Sequence, residues 1–262
     1  MERRNREIGM TSTWVVGDIH GCAAELALLL DAIDLQPGDR FLSAGDLFHR
    51  GPDPVGVMRI LKNLGSAFDM VLGNHEWALL NRIAATDDGK STRDGEALID
   101  DLHGDNQAKM DSSALPAAEE LLAFLQNRPY FLRGTCTGPA WGSEPTQSEL
   151  LQKQCAESEV PQREWILVHG SVLPGRKVED MKPADIVRLS RYLDHPGSPL
   201  WHEAWQGPEF VVFGHAQSAA GIHQSENGVA LAYGLDTGCV YGGRLTAIRL
   251  EDLKVVQQPA LS

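Results

Sequence analysis

Short apolar runs recur along the chain, each breaking off into a polar signature. Residues 13–16 run into Gly17-Asp18-Ile19-His20-Gly21, 40–44 into Gly45-Asp46, and 68–72 into Gly73-Asn74-His75-Glu76. Residues 165–168 end at His169-Gly170, and 210–213 at Gly214-His215. Apolar runs this short with polar ends suit strands buried on both faces. Helical patterns separate the first three. Residues 25–33 are rich in Ala and Leu and stop at the turn sequence Leu35-Gln36-Pro37-Gly38-Asp39. Residues 54–64 place Val55, Met58, Ile60, Leu61 and Leu64 mainly at helical spacing before Gly65. Strand, helix, strand, helix, strand predicts parallel crossovers in an α/β sheet. Such sheets bind ligands at the carboxyl ends of their strands, where every signature falls.

The middle of the chain breaks this rhythm. Residues 86–116 are polar and Asp-rich, and 134–161 are rich in Gly, Pro, Ser and Gln. Between them a helix is predicted over 117–126 and a strand over 130–133. Segment 86–161 reads as a surface insertion bordering the site, either a solvated excursion or a lid, with no second core. After Gly214-His215, residues 231–235 and 245–250 are predicted as antiparallel strands joined through Gly238 and Gly242-Gly243. Residues 1–10 read as a flexible tail and 11–262 as one domain.

Composition narrows the functional classes. An apolar fraction of 42% with 23% charged residues excludes fibrous and wholly disordered chains, and no run approaches eighteen apolar residues. The net charge is −13, from 36 acids against 23 bases, a field that repels long nucleic acids but not a small anion held by metal ions. No apolar segment follows the basic start, so no secretory signal is read and a cytoplasmic location is expected. Cys22, Cys136, Cys155 and Cys239 show no zinc-like spacing and are read as reduced, packed thiols.

The signatures carry the chemistry. Gly-Asp-x-His-Gly has a chance expectation on the order of one in a thousand for a chain this size, and Gly-Asn-His-Glu is about equally improbable. Both occur, in order, each after a strand. Asp18 and His20 offer an oxygen and a nitrogen to one cation, and Asp46 can bridge two cations with its two oxygens. Asn74, His169 and His215 can complete a second site. Such a donor set, without thiolate, suits Mn, Fe or Zn rather than Ca. Two ions about 3.5–4 Å apart turn a bridging water into hydroxide and clamp a phosphoryl oxygen. Arg50 carries a planar fork suited to phosphate, and His75 is placed to protonate a leaving group.

These strings, with Gly45-Asp46-Leu47-Phe48-His49-Arg50-Gly51, Val168-His169-Gly170 and Phe213-Gly214-His215, resemble the signatures of calcineurin-like metallophosphoesterases. The likeness is to the phosphoprotein phosphatase branch, which includes bacterial Ser/Thr phosphatases and symmetrical diadenosine tetraphosphatases. It implies a four-layer α/β sandwich of two mixed sheets flanked by helices, with two divalent ions, Mn or else Fe, Zn, Ni or Co. It implies Asp18, His20 and Asp46 on the first ion, and Asp46, Asn74, His169 and His215 on the second. Arg50 would bind phosphate and His75 would be the acid. Gln217 stands where the wider superfamily often has a second histidine. The branch uses another phosphate-binding arginine, for which Arg191 is the candidate and Arg188 the alternative.

One residue departs from the pattern. Protein phosphatases place an Asp, which orients the catalytic histidine, where this chain has His49. Here His49 either adjoins His75, where two imidazoles disfavour each other's protonation, or faces solvent. The segment from Leu235 to Thr246, with Gly21-Cys22 and Arg50-Gly51-Pro52, resembles the diadenosine tetraphosphatases. Trp141, Trp201 and Trp205 are either adenine-stacking or packed residues. The function implied is hydrolysis of phosphate anhydrides or monoesters, with a symmetrical bis(5'-nucleosyl)-tetraphosphatase-like activity ahead of a phosphoprotein phosphatase. A metal-bound scaffold without catalysis is the third reading. The partners expected are a small phosphorylated substrate or a phosphoprotein, with no long nucleic acid and no membrane.

Overall fold

The computed structural model describes residues 11–85, 118–137, 162–192, 197–226 and 228–261, the side chains of 82–85 and 118 excepted. The predicted tail, most of the predicted insertion, Trp141 and Cys155 lie outside the described residues.

Two five-stranded sheets form the centre. In the first, β1 (Thr13–Val16), β2 (Arg40–Ser43) and β3 (Phe68–Met70) run parallel. Helices α1 (Ala23–Ile33) and α2 (Pro54–Asn63) connect them, as the alternating pattern predicts. Helix α2 starts cleanly because Asp53 caps it, Oδ1 accepting from the Gly56 N–H at 2.7 Å, with Pro54 at the first helical position. Helix α3 (Asn74–Ala85) follows β3 directly, and α4 (Ala118–Leu125) lies within the helix predicted over 117–126.

The second sheet has the order β4, β5, β6, β8, β7. Strand β4 (Phe131–Thr137) is antiparallel to β5 (Gln162–Val168), which lies parallel to β6 (Phe210–Phe213). Helix α5 (Pro183–Arg188) precedes β6 in the chain. Strand β6 is parallel to β8 (Ala230–Gly234), and β8 is antiparallel to β7 (Gly221–Gln224). β9 (Arg244–Arg249) and β10 (Val255–Pro259) return to the first sheet, β9 pairing antiparallel with β1 and with β10.

Two predictions are corrected here. The segments 231–235 and 245–250 do not pair with each other. The first is in the second sheet and the second in the first sheet, because the chain after Leu235 crosses from one to the other. The strand predicted to end at Arg133 continues through Gly134 to Thr137. Gly134 is no loop signal: a Cβ there would lie 2.7 Å from the Trp165 ring on the neighbouring strand, so only glycine lets that indole pack.

Strand periodicity sorts the core into three apolar layers. Val15, Leu42, Trp165, Leu167, Phe210, Val212 and Ile248 fill the space between the sheets. Their neighbours Trp14, Val16 and Phe41 point the other way, onto Leu26, Leu29, Val57 and Leu61 of the first helices. Ile166, Val168, Val211 and Phe213 do the same toward Trp201, Trp205 and Ile186. Helix, sheet, sheet and helix make the four-layer sandwich. Cys22, Cys136 and Cys239 are free and buried. Among the described residues no helix is long and apolar enough to cross a membrane.

Candidate metal centre and active site

The signatures converge where the carboxyl ends of both sheets meet. Backbone bonds tie the loops together before any side chain acts. The N–H groups of Ile19 and His20 donate to the Asp46 carbonyl at 3.1 and 2.8 Å, and Gly21 N–H to Leu47 O at 2.7 Å. The Gly214 N–H donates to His169 O at 2.9 Å. Two motif glycines are required by close approach. A side chain at Gly73 would collide with Asp46 Oδ1, and one at Gly214 with Asp18 Oδ1. His20, Asp46, Arg50 and His215 all hold positive φ, between 46° and 75°, the left-handed region costly to side-chain-bearing residues. Local strain is therefore concentrated on site residues.

Asp46 stands at the centre. Its Oδ2 is 3.7 Å from His20 Nε2, 3.5 Å from His169 Nε2 and 3.9 Å from His75 Nε2. Burial opposes its charge, but the surrounding imidazoles, His169 first, outweigh that and hold its carboxyl below the usual range. Asp18 lies 3.9 Å from His20 Nε2 and accepts the His215 N–H at 3.1 Å. Burial, then the charges of Asp236 and Asp46, push Asp18 well above the usual carboxylate range. Asn74 Oδ1 is 2.9 Å from both His169 Nε2 and His215 Nδ1. His20 and His215 are pushed down, to about 3 and about 4, chiefly by burial, so both rings are neutral donors.

The tautomers follow from the partners. A carbonyl only accepts, so His169 Nδ1–H donates to Ala44 O at 2.8 Å and His215 Nε2–H to Arg188 O at 3.1 Å. In neutral His215 the Nδ1 lone pair then faces Asn74 Oδ1, an acceptor against an acceptor. Arg50 Nη1 donates to His20 Nε2 at 2.9 Å, so that nitrogen is an acceptor, 3.9 Å from Asp18 Oδ2 and 3.7 Å from Asp46 Oδ2. Lone pairs and buried carboxylates aimed at one another fit divalent cations between them. Asp18, His20 and Asp46 bring ligand atoms within 4.8 Å of each other. The carbonyl contacts of His169 and His215 have the form of the outer bonds that orient metal-ligating imidazoles.

Of the residues singled out from sequence, the structure brings together Asp18, His20, Asp46, Arg50, Asn74, His75, His169 and His215. Arg191 Nη1 donates to Ser198 O at 2.6 Å. Arg188 has its carbonyl on His215 and its guanidinium 6.0 Å from the Trp77 ring. His49 does not face solvent. It is 4% exposed, with its ring centre 4.4 Å from that of His75. Trp201 and Trp205 are core residues, their Nε1–H groups donating to Gly170 O and Glu209 O at 2.9 and 3.1 Å. Base stacking on either is overturned.

Two acids escaped a role in the sequence reading. Glu76, fully buried, accepts the N–H groups of Asp46, Leu47 and Gly73 at 2.9, 2.8 and 3.0 Å, clamping the central loop to the start of α3. Its signal was an acid in the first turn of a helix, where exposed N–H groups need an acceptor. Asp236 is buried and accepts the Gly238 N–H at 3.0 Å. It follows a strand end, as Asp18 and Asp46 do.

Comparison with known proteins agrees with this geometry. The chain is 29% identical to the symmetrical bis(5'-nucleosyl)-tetraphosphatase of Pectobacterium atrosepticum, with 96% of each chain covered. It is 30% identical to the protein of that name from Nitrosomonas europaea, covering 95% of this chain and 99% of the other. A crystal structure assigned provisionally as a diadenosine tetraphosphatase matches with a TM-score of 0.67 at 26% identity, covering 98% of this chain and 97% of that one. A model of the calcineurin-like phosphoesterase family matches residues 11–243, and the chain belongs to that family of hydrolases.

Proposed function

We propose that this enzyme splits dinucleoside tetraphosphates symmetrically, releasing two nucleoside diphosphates. The first divalent ion would be held by Asp18, His20 and Asp46, the second by Asp46, Asn74, His169 and His215, with Mn as the metal. The supporting observation is the position of Asp46 Oδ2, within 4 Å of ring nitrogens of both halves of the cluster. When bound, the ions supply activated water and charge for the phosphoryl oxygens. Arg50, donating to His20 from the rim, turns its fork to the substrate phosphate. Arg188 is better placed than Arg191 for a second phosphate contact, since its backbone touches His215. His75 gives its proton to the departing oxygen. Free, buried Cys22, Cys136 and Cys239 support a cytoplasmic location.

His49 bears on the substrate. Its buried imidazole lies against His75, where a carboxylate would favour the protonated acid. A serine alkoxide is strongly basic and needs a well-poised acid to leave. A nucleoside diphosphate leaves as a far more acidic phosphate oxygen and needs little help. The local chemistry therefore favours anhydrides. Product analysis tests this: diadenosine tetraphosphate should give ADP alone, with higher kcat/KM than any phosphopeptide. A tenfold preference for phosphopeptides, about 1.4 kcal/mol of transition-state binding, would replace the reading with that of a phosphoprotein phosphatase.

A further inference from the structure

A symmetrical dinucleotide carries a base at each end, and cleavage at its centre places one nucleoside on either side of the cluster. Each side of the cluster has an aromatic ring at its rim, paired with an arginine. On the His20 side this is Tyr241, at the end of the 3₁₀ turn Cys239–Tyr241. At 62% exposed it is the most exposed large hydrophobic side chain among the described residues. The Arg50 guanidinium sits 5.8 Å from its ring centre, and the same guanidinium reaches His20 Nε2 at 2.9 Å. Tyr241 is thus one guanidinium away from a residue of the metal centre.

On the other side is Trp77, nearly one turn along α3 from Asn74 and only partly buried. The Arg188 guanidinium lies 6.0 Å from its ring, and the Arg188 carbonyl accepts from His215. A cation over a ring holds an exposed aromatic in a defined orientation at little cost. When the guanidinium moves to a phosphate, the ring face becomes available for a base, and stacking on it tolerates any base. Trp201 and Trp205 have no free face to offer, being core residues.

We infer that Tyr241 and Trp77 are the two base platforms, Tyr241 for the nucleoside on the His20–Arg50 side and Trp77 for the nucleoside on the Asn74–His215 side. This rests on the dinucleoside tetraphosphate reading above. The platforms hold the substrate by its ends while the cluster acts at its middle, so their loss falls on KM and on the choice of substrate.

The test compares diadenosine tetraphosphate with p-nitrophenyl phosphate, which has no base, in Mn-loaded enzyme. In Tyr241→Ala and in Trp77→Ala the ratio of the two kcat/KM values should fall about tenfold, mostly through KM, and Tyr241→Phe and Trp77→Phe should largely restore it. An unchanged ratio in both alanine variants overturns the inference. So does an equal loss on both substrates, which would mean that the rings merely position the arginines. A second readout needs no turnover: ADP should quench the indole emission of the wild type, pyrophosphate should not, and Trp77→Phe should abolish the quenching. If the wild type yields no ADP from the tetraphosphate, the substrate reading fails by itself. Base-dependent quenching lost in Trp77→Phe would then still support the Trp77 platform, and its absence would overturn it.

Discussion

The two sheets contribute unlike halves to one site. The first sheet brings carboxyl groups: Asp18, Asp46 and the clamping Glu76, all buried, on loops tied to one another by backbone bonds. The second brings imidazoles, His169 and His215, each fixed by donating its N–H to a backbone carbonyl. Carboxyl groups packed together need a rigid frame and a counter-ion, whereas imidazoles need only orientation. The halves should therefore fail differently.

The largest failure should come from Asp46, which faces both halves. Asp46→Asn should lower kcat by about a thousandfold or more and reduce the metal content, while Asn74→Ala, touching one half, loses clearly less. Equal losses would remove Asp46 from the centre. Glu76→Ala should act on the frame: three buried N–H groups lose their acceptor, costing about 3 kcal/mol in urea unfolding of the metal-free protein. If stability is unchanged, the clamp is not structural.

Arg50 and His75, both on the first half, should separate by function. Arg50→Ala should weaken phosphate inhibition by roughly tenfold or more. His75→Asn should leave phosphate inhibition nearly intact and lower turnover progressively from anhydride to aryl to alkyl phosphate. Identical kinetic patterns would mean these roles are wrongly divided.

The last effect, on stability alone, belongs to the second half. His202 packs against both Phe213 and His223, with ring centres 5.6 and 3.8 Å away, and burial, then His223, pushes it down to about 4. The unfolded imidazole takes up its proton near pH 6.5, the folded one only near 4. The unfolded state thus binds more protons between these values, and stability falls as pH falls through that window. His202→Phe should flatten this limb by about 2 kcal/mol between pH 7 and 4.5. An unaltered slope in denaturant titrations would locate the acid sensitivity elsewhere.

The same contrast governs what could be read from sequence. The candidate ligands were legible because each stands at a strand end beside a glycine, as in Gly17-Asp18 and Gly214-His215, and those glycines are required by close packing. Sheet membership was not legible. Residues 231–235 and 245–250 look like a hairpin, yet nothing local says that the chain between them changes sheets. Strands β7 and β10 escaped notice because Gly221–Gln224 and Val255–Pro259 alternate between partly buried and exposed positions, without an apolar run. Burial of His49, Trp201 and Trp205 depends on partners distant in sequence, so residue type alone left their roles open.

The proposed chemistry needs two ions meeting at Asp46. Its most direct test is titration of chelator-stripped protein with Mn²⁺ while ADP release from diadenosine tetraphosphate is followed. Activity should be absent at first and complete only at two equivalents per chain. Full activity in the metal-free protein, or saturation at one equivalent, would contradict it.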